Sequence, residues 1–114
     1  MNILKTFYKS ADYKDKYGMI FNMDCMKFME ELCENNVFDC TITDIPYSEV
    51  NRKDNGLRNL DKSNADILTF DIKEFLEEIY RLTKGTIIVF CGNEQYSTIY
   101  SFFNEKSKQN LGTT

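Results

Sequence analysis

Along the 114 residues, the spacing of apolar side chains alternates between a strand period and a helix period. Residues 19–23 (Met-Ile-Phe-Asn-Met) have the composition of a strand, and Asp24 after them offers a side-chain oxygen to cap a helix. Met26, Met29, Leu32 and Cys33 then recur at helical spacing with Lys27, Glu30, Glu31 and Glu34 opposite them, which predicts a helix over 24–35. Asn35 and Asn36 interrupt it. The β-branched Val37, Thr41, Ile42 and Thr43 predict a second strand over 37–43.

The clearest helix pattern comes next. Asp71 followed three residues on by Glu74 has the form of a capping box, and Phe75, Leu76, Ile79 and Leu82 make one stripe over 72–83. Lys84-Gly85 ends it, and the apolar run 86–91, bounded by glycines, has the pattern of a strand buried on both faces. Tyr96, Ile99, Tyr100 and Phe103 predict a third helix over 94–105, capped by Asn93, with its aromatic residues in the core. Residues 1–17 read as an irregular lead-in or a short helix. Residues 48–69 form an aperiodic loop, and a loop of about 20 residues in a compact domain is more often functional or mobile than structural.

Three strand–helix alternations imply an α/β fold with a three-stranded parallel sheet and right-handed crossovers. One domain accounts for residues 1–114. Beyond Phe103 the sequence turns polar, and a three-stranded parallel sheet leaves its edges unprotected. The expectation is therefore an incomplete sheet, open to self-association or to a protein partner along its edge.

Charge and cysteine usage narrow the function. A formal charge of −4 argues against gripping nucleic acid through an overall positive field, so any DNA contact must be local. Arg52, Lys53, Arg58 and Lys62 in the long loop are balanced by Glu49, Asp54, Asp61 and Asp66, the mark of a solvated segment. Cys25, Cys33, Cys40 and Cys91 lack C-x-x-C spacing and the chain has no histidine, so neither a zinc site nor a disulfide framework is expected. No apolar run approaches the roughly 20 residues of a membrane span, and no signal-peptide layout opens the chain. A cytoplasmic protein with reduced thiols is expected.

In open α/β sheets, ligands bind beyond the carboxyl ends of the strands. Asp24-Cys25, Asp44-Ile45-Pro46-Tyr47 and Gly92-Asn93-Glu94 fall at those ends. In the second of these a strand delivers an acid, a turn stiffened by Pro46 and an aromatic ring. A carboxylate and a backbone carbonyl in such a turn can accept both hydrogens of an exocyclic amino group while the ring stacks on a base, which suits chemistry on a flipped-out nucleobase.

Here the chain resembles the DNA amino-methyltransferases that modify adenine N6 or cytosine N4, whose signature is an acid or amide, two prolines and an aromatic residue after a buried strand. It is most similar to the phage-type, permuted class in which this signature precedes the cofactor's glycine-rich loop. The resemblance spans residues 18–105 and implies a Rossmann-like fold, S-adenosylmethionine as cofactor and DNA as substrate. It makes Asp44 the signature acid, Ile45 the carbonyl acceptor in place of the first proline, Pro46 the second proline and Tyr47 the stacking ring. Asp24-Cys25 resembles the place where the adenosyl group is held. Two departures stand out: Ile45 lacks a proline's ring constraint, and the family's phenylalanine-glycine-x-glycine loop does not occur. The resemblance therefore implies a methyltransferase cut short, with a catalytically inactive, phage-encoded remnant that binds a protein as inhibitor or regulator as the alternative.

Overall fold

The computed structural model describes residues 7–32, 34–46 and 71–112. Tyr47 and the loop 48–69 lie outside them. The described elements are β1 (Tyr13–Lys14), β2 (Met19–Ile20), α1 (Cys25–Glu31), β3 (Phe38–Asp44), α2 (Ile72–Leu82), β4 (Thr83–Phe90) and α3 (Asn93–Gly112). The fold is mixed α/β with a small parallel sheet, in which β3 pairs with β4 from Phe38↔Thr83 to Asp44↔Phe90.

The first expected strand does not join that sheet. Met19 and Ile20 pair antiparallel with Lys14 and Tyr13 in a separate hairpin. The reason is local: Asp15 Oδ1 accepts the N–H groups of Tyr17 and Gly18 at 2.8 and 3.0 Å, closing a turn that folds the segment back on the lead-in. Phe7 and Phe21 then pack with Phe28 of α1, with ring centroids 4.8–6.2 Å apart.

Caps define two helices. Asp24 Oδ1 accepts from Met26 N at 2.8 Å, and Asp71 Oδ1 accepts from Lys73 N and Glu74 N at 2.8 and 3.1 Å, satisfying amides that have no partner inside the helix. At its other end α1 stops at Glu31, short of the expected 35, because Arg81 of α2 takes over its last carbonyls. Arg81 Nη2 donates to Met29 O at 3.0 Å, and Nη1 donates to Leu32 O and Glu34 O at 2.9 and 3.2 Å. Asn36 follows with φ 55°, in the left-handed region that asparagine tolerates, and its N–H donates to Arg81 O.

α2 covers the sheet with Phe75, Leu76, Ile79 and Leu82, all buried, joined by Met29, Leu32, Ile45 and Phe7. The sheet is covered on one face only. Ile87 and Val89 are half-buried against this core, whereas Ile42, Ile88 and Phe90 on the other face are 67%, 42% and 54% exposed. The apolar run 86–91 is thus not buried on both faces, because α1, α2 and α3 all contribute to the same core and none of them covers the second face. Where the register shifts between Phe38 and Cys40, Gly85 meets β3 so closely that a side chain there would overlap the Asp39 carbonyl.

α3 also departs from expectation. It starts at Asn93, so Asn93 lies in its first turn, and it continues past the polar residues to Gly112. Lys106 helps hold that extension, reaching Glu77 at 3.2 Å and lying over the rings of Tyr80 and Phe102. Its inward stripe is Gln95, Ile99, Phe102 and Phe103, while Tyr96 and Tyr100 are about 60% exposed and stack on each other. Among the described residues, no helix is long and apolar enough to cross a membrane.

Candidate functional site

The parallel register brings the carboxyl ends of β3 and β4 together. Asp44 and Phe90 are cross-strand partners on the open face, and the Asp44 carboxylate is exposed with no hydrogen-bond partner among the described residues. Phe90 thus supplies an exposed ring next to the acid.

The turn after Asp44 is fixed from two sides. Ile45 N donates to Phe90 O at 3.2 Å, extending the ladder one bond beyond the strand, and the Ile45 side chain is 3% exposed in the core. A proline at 45 would lack that N–H, so this chain replaces a ring constraint with a ladder bond and a buried side chain. On the other side, Gln95 Nε2 donates to Pro46 O at 2.9 Å while Gln95 Oε1 accepts from Gly92 N at 2.9 Å. Those two partners fix the orientation of the amide, since a carbonyl needs a donor and an N–H an acceptor. Gln95 is 5% exposed, so both bonds are made away from water.

Sequence reasoning gave Gln95 no role. The local signal was present: with Gly92 before the helix, Gln95 stands at the third helical position, where the return arm of a capping box originates. The bond to Pro46, 49 residues away, has no signature in sequence.

Asp24 and Cys25 stand at the start of α1. One Asp24 oxygen is committed to the helix cap, and no described hydrogen bond joins it to the turn at 44–46. Desolvation, and then the Asp24 carboxylate, push the Cys25 thiol above its ordinary range. Because Cys25 is exposed, the neighbouring charge is the firmer of the two causes. The thiolate fraction at neutral pH is therefore smaller than that of an unperturbed cysteine. One Asp24 oxygen is committed to the cap, the Gly92 N–H to Gln95, and the sequence has no phenylalanine-glycine-x-glycine loop, so the described residues do not build the S-adenosylmethionine site that the resemblance implies.

A hollow of about 1310 Å³ lies at the other end of β4, by Thr83, Lys84 and Gly85. Glu30, Glu74, Glu77 and Glu78 line it, and Arg81 there is already occupied by carbonyls. With Lys84 and Lys106 also in its lining it is a groove of mixed charge, remote in the fold from the strands' carboxyl ends. Comparison of the chain with protein-family models, with curated proteins and with solved structures finds no match, so the functional reading rests on the residues themselves.

Proposed function

We propose that this chain supplies the target-amine side of a DNA amino-methyltransferase acting on adenine N6 or cytosine N4, on a Rossmann-like scaffold. One observation carries the reading: an exposed, unengaged carboxylate at the end of a parallel strand stands beside a turn fixed from both sides, with the Ile45 carbonyl between the two fixed points. Asp44 and that carbonyl are the acceptors for the two amine hydrogens, which turns the nitrogen lone pair outward. Phe90 offers a face on which the ring can rest, the part given to Tyr47 in sequence.

The test is a ¹⁵N-resolved titration with deoxyadenosine and deoxycytidine. We expect shifts concentrated at residues 44–46 and 90–95, lost in Asp44→Ala. Shifts centred on the groove at Glu74 and Glu77, or unchanged by Asp44→Ala, would remove the basis for the reading.

The second reading, a protein-binding module, is favoured by a specific feature, the open apolar face of Ile42, Ile88 and Phe90. Sedimentation at rising concentration separates the two. A dimer abolished by Ile42→Lys favours the binding module, and a monomer leaves the face free for a ring.

A further inference from the structure

In a parallel ladder every second residue of one strand makes two bonds to its neighbour, its N–H donating backward along that strand and its carbonyl accepting from a residue further forward. Here Ile45 N donates to Phe90 O, so the next bond in the same register would run from Gly92 N to Ile45 O. That bond is not made. The Gly92 N–H goes instead to Gln95 Oε1, and no described hydrogen bond reaches the Ile45 carbonyl.

We infer that Gln95 is a positioning residue whose side-chain amide ends the β3–β4 ladder one bond early and so keeps the Ile45 carbonyl available to a target amine. The inference rests on the target-amine reading of Asp44 and extends it to a residue that reading does not contain. A capping arm accounts for the Gly92 bond alone. It does not account for the second bond, to Pro46 O, or for burying the whole side chain. Together the two bonds remove the donor that would close the carbonyl and hold the following residue in place. Glutamine suits both tasks because one amide carries an acceptor and a donor.

The test compares Gln95→Met, which keeps the side chain's length and apolar stem, with Gln95→Glu, which keeps an acceptor for Gly92. In Gln95→Met we expect a through-hydrogen-bond coupling to appear between Gly92 N and Ile45 C′, and the preference for deoxyadenosine over its analogue without the amine to fall severalfold. In Gln95→Glu no such coupling should appear, and the preference should fall less than in Gln95→Met, since only the bond to Pro46 O is lost. A helix cap with no positioning role would lower the melting temperature of both variants but leave the amine preference of each unchanged, which would overturn the inference. If Gln95→Met fails to fold, Gln95→Glu still decides, since a Gly92–Ile45 coupling in that variant, or a preference undiminished by the lost bond to Pro46 O, would contradict the role assigned. Coupling in Gln95→Met with undiminished preference would defeat this inference and leave the Asp44 reading standing. No preference in the unaltered chain would defeat both.

Discussion

At the scale of single residues, burial and charge separate the groups that act from those that hold. Ile45 is the sharpest case, a signature position turned into a core residue. Truncating it should cost about 2–4 kcal/mol as an unfilled cavity, whereas Ile45→Pro should cost less in packing and more in the lost bond to Phe90 O. Urea denaturation of both variants checks this, and a loss below about 0.5 kcal/mol for Ile45→Ala would contradict its place in the core. Cys25 gives a pH-dependent expectation. Its raised thiol pKa leaves less thiolate at a given pH, so its alkylation at pH 8 should lag behind that of an unperturbed cysteine and catch up only as pH rises through the raised value. Asp24→Asn keeps the cap and removes the charge, and should therefore speed alkylation at Cys25 with little loss of stability. Peptide mass spectrometry resolves that site from Cys33, Cys40 and Cys91, and an unchanged rate would show that the neighbouring charge is not at work.

At the scale of elements, what the sequence made legible was whatever is encoded within about four residues. The Asp71 cap and the stripe of α2 were visible because caps and stripes are local. The parallel pairing of β3 with β4 followed from the helix lying between them. The hairpin of β1 and β2 was not visible, since two-residue strands carry no period. The run 86–91 misled because an apolar composition cannot tell one covered face from two. On α3, Tyr96 and Tyr100 were chosen over Gln95 because a polar residue looks exposed until its partners are known. Arg81 and Gly85 were missed for a similar reason, as their partners lie far away in sequence. Both lead to expectations. Arg81→Met should destabilise by about 2 kcal/mol or more, because three carbonyls at the end of α1 lose a charged donor, while Arg81→Lys should recover only part of that. Gly85→Ala should cost about 1–3 kcal/mol through overlap with the Asp39 carbonyl. Chemical denaturation checks each, and a neutral Gly85→Ala would mean that the strands can separate there at no cost. The Lys84–Asp39 ion pair beside it is exposed and should contribute little.

At the scale of the whole molecule, an α/β unit presents an acid, an aromatic ring and an open turn carbonyl side by side, and the described residues build no holder for a methyl donor. Calorimetric titration of the chain with S-adenosylmethionine should accordingly give no resolvable heat of site-specific binding, and micromolar affinity would show that a donor site is built in a way the cap at Asp24 and the Gly92–Gln95 bond do not suggest. The acidic net charge fits the same picture, since recognition then depends on the base's amine and ring more than on phosphate. The most direct measurement compares the affinity of the chain for deoxyadenosine with that for the same nucleoside lacking its amine, in the unaltered protein and in Asp44→Ala. We expect the amine to strengthen binding by about tenfold, the size of one charge-assisted hydrogen bond worth ~1.4 kcal/mol, and Asp44→Ala to bring the two affinities together. Equal affinities in the unaltered protein, or an amine preference that survives Asp44→Ala, would contradict a target-amine site at Asp44.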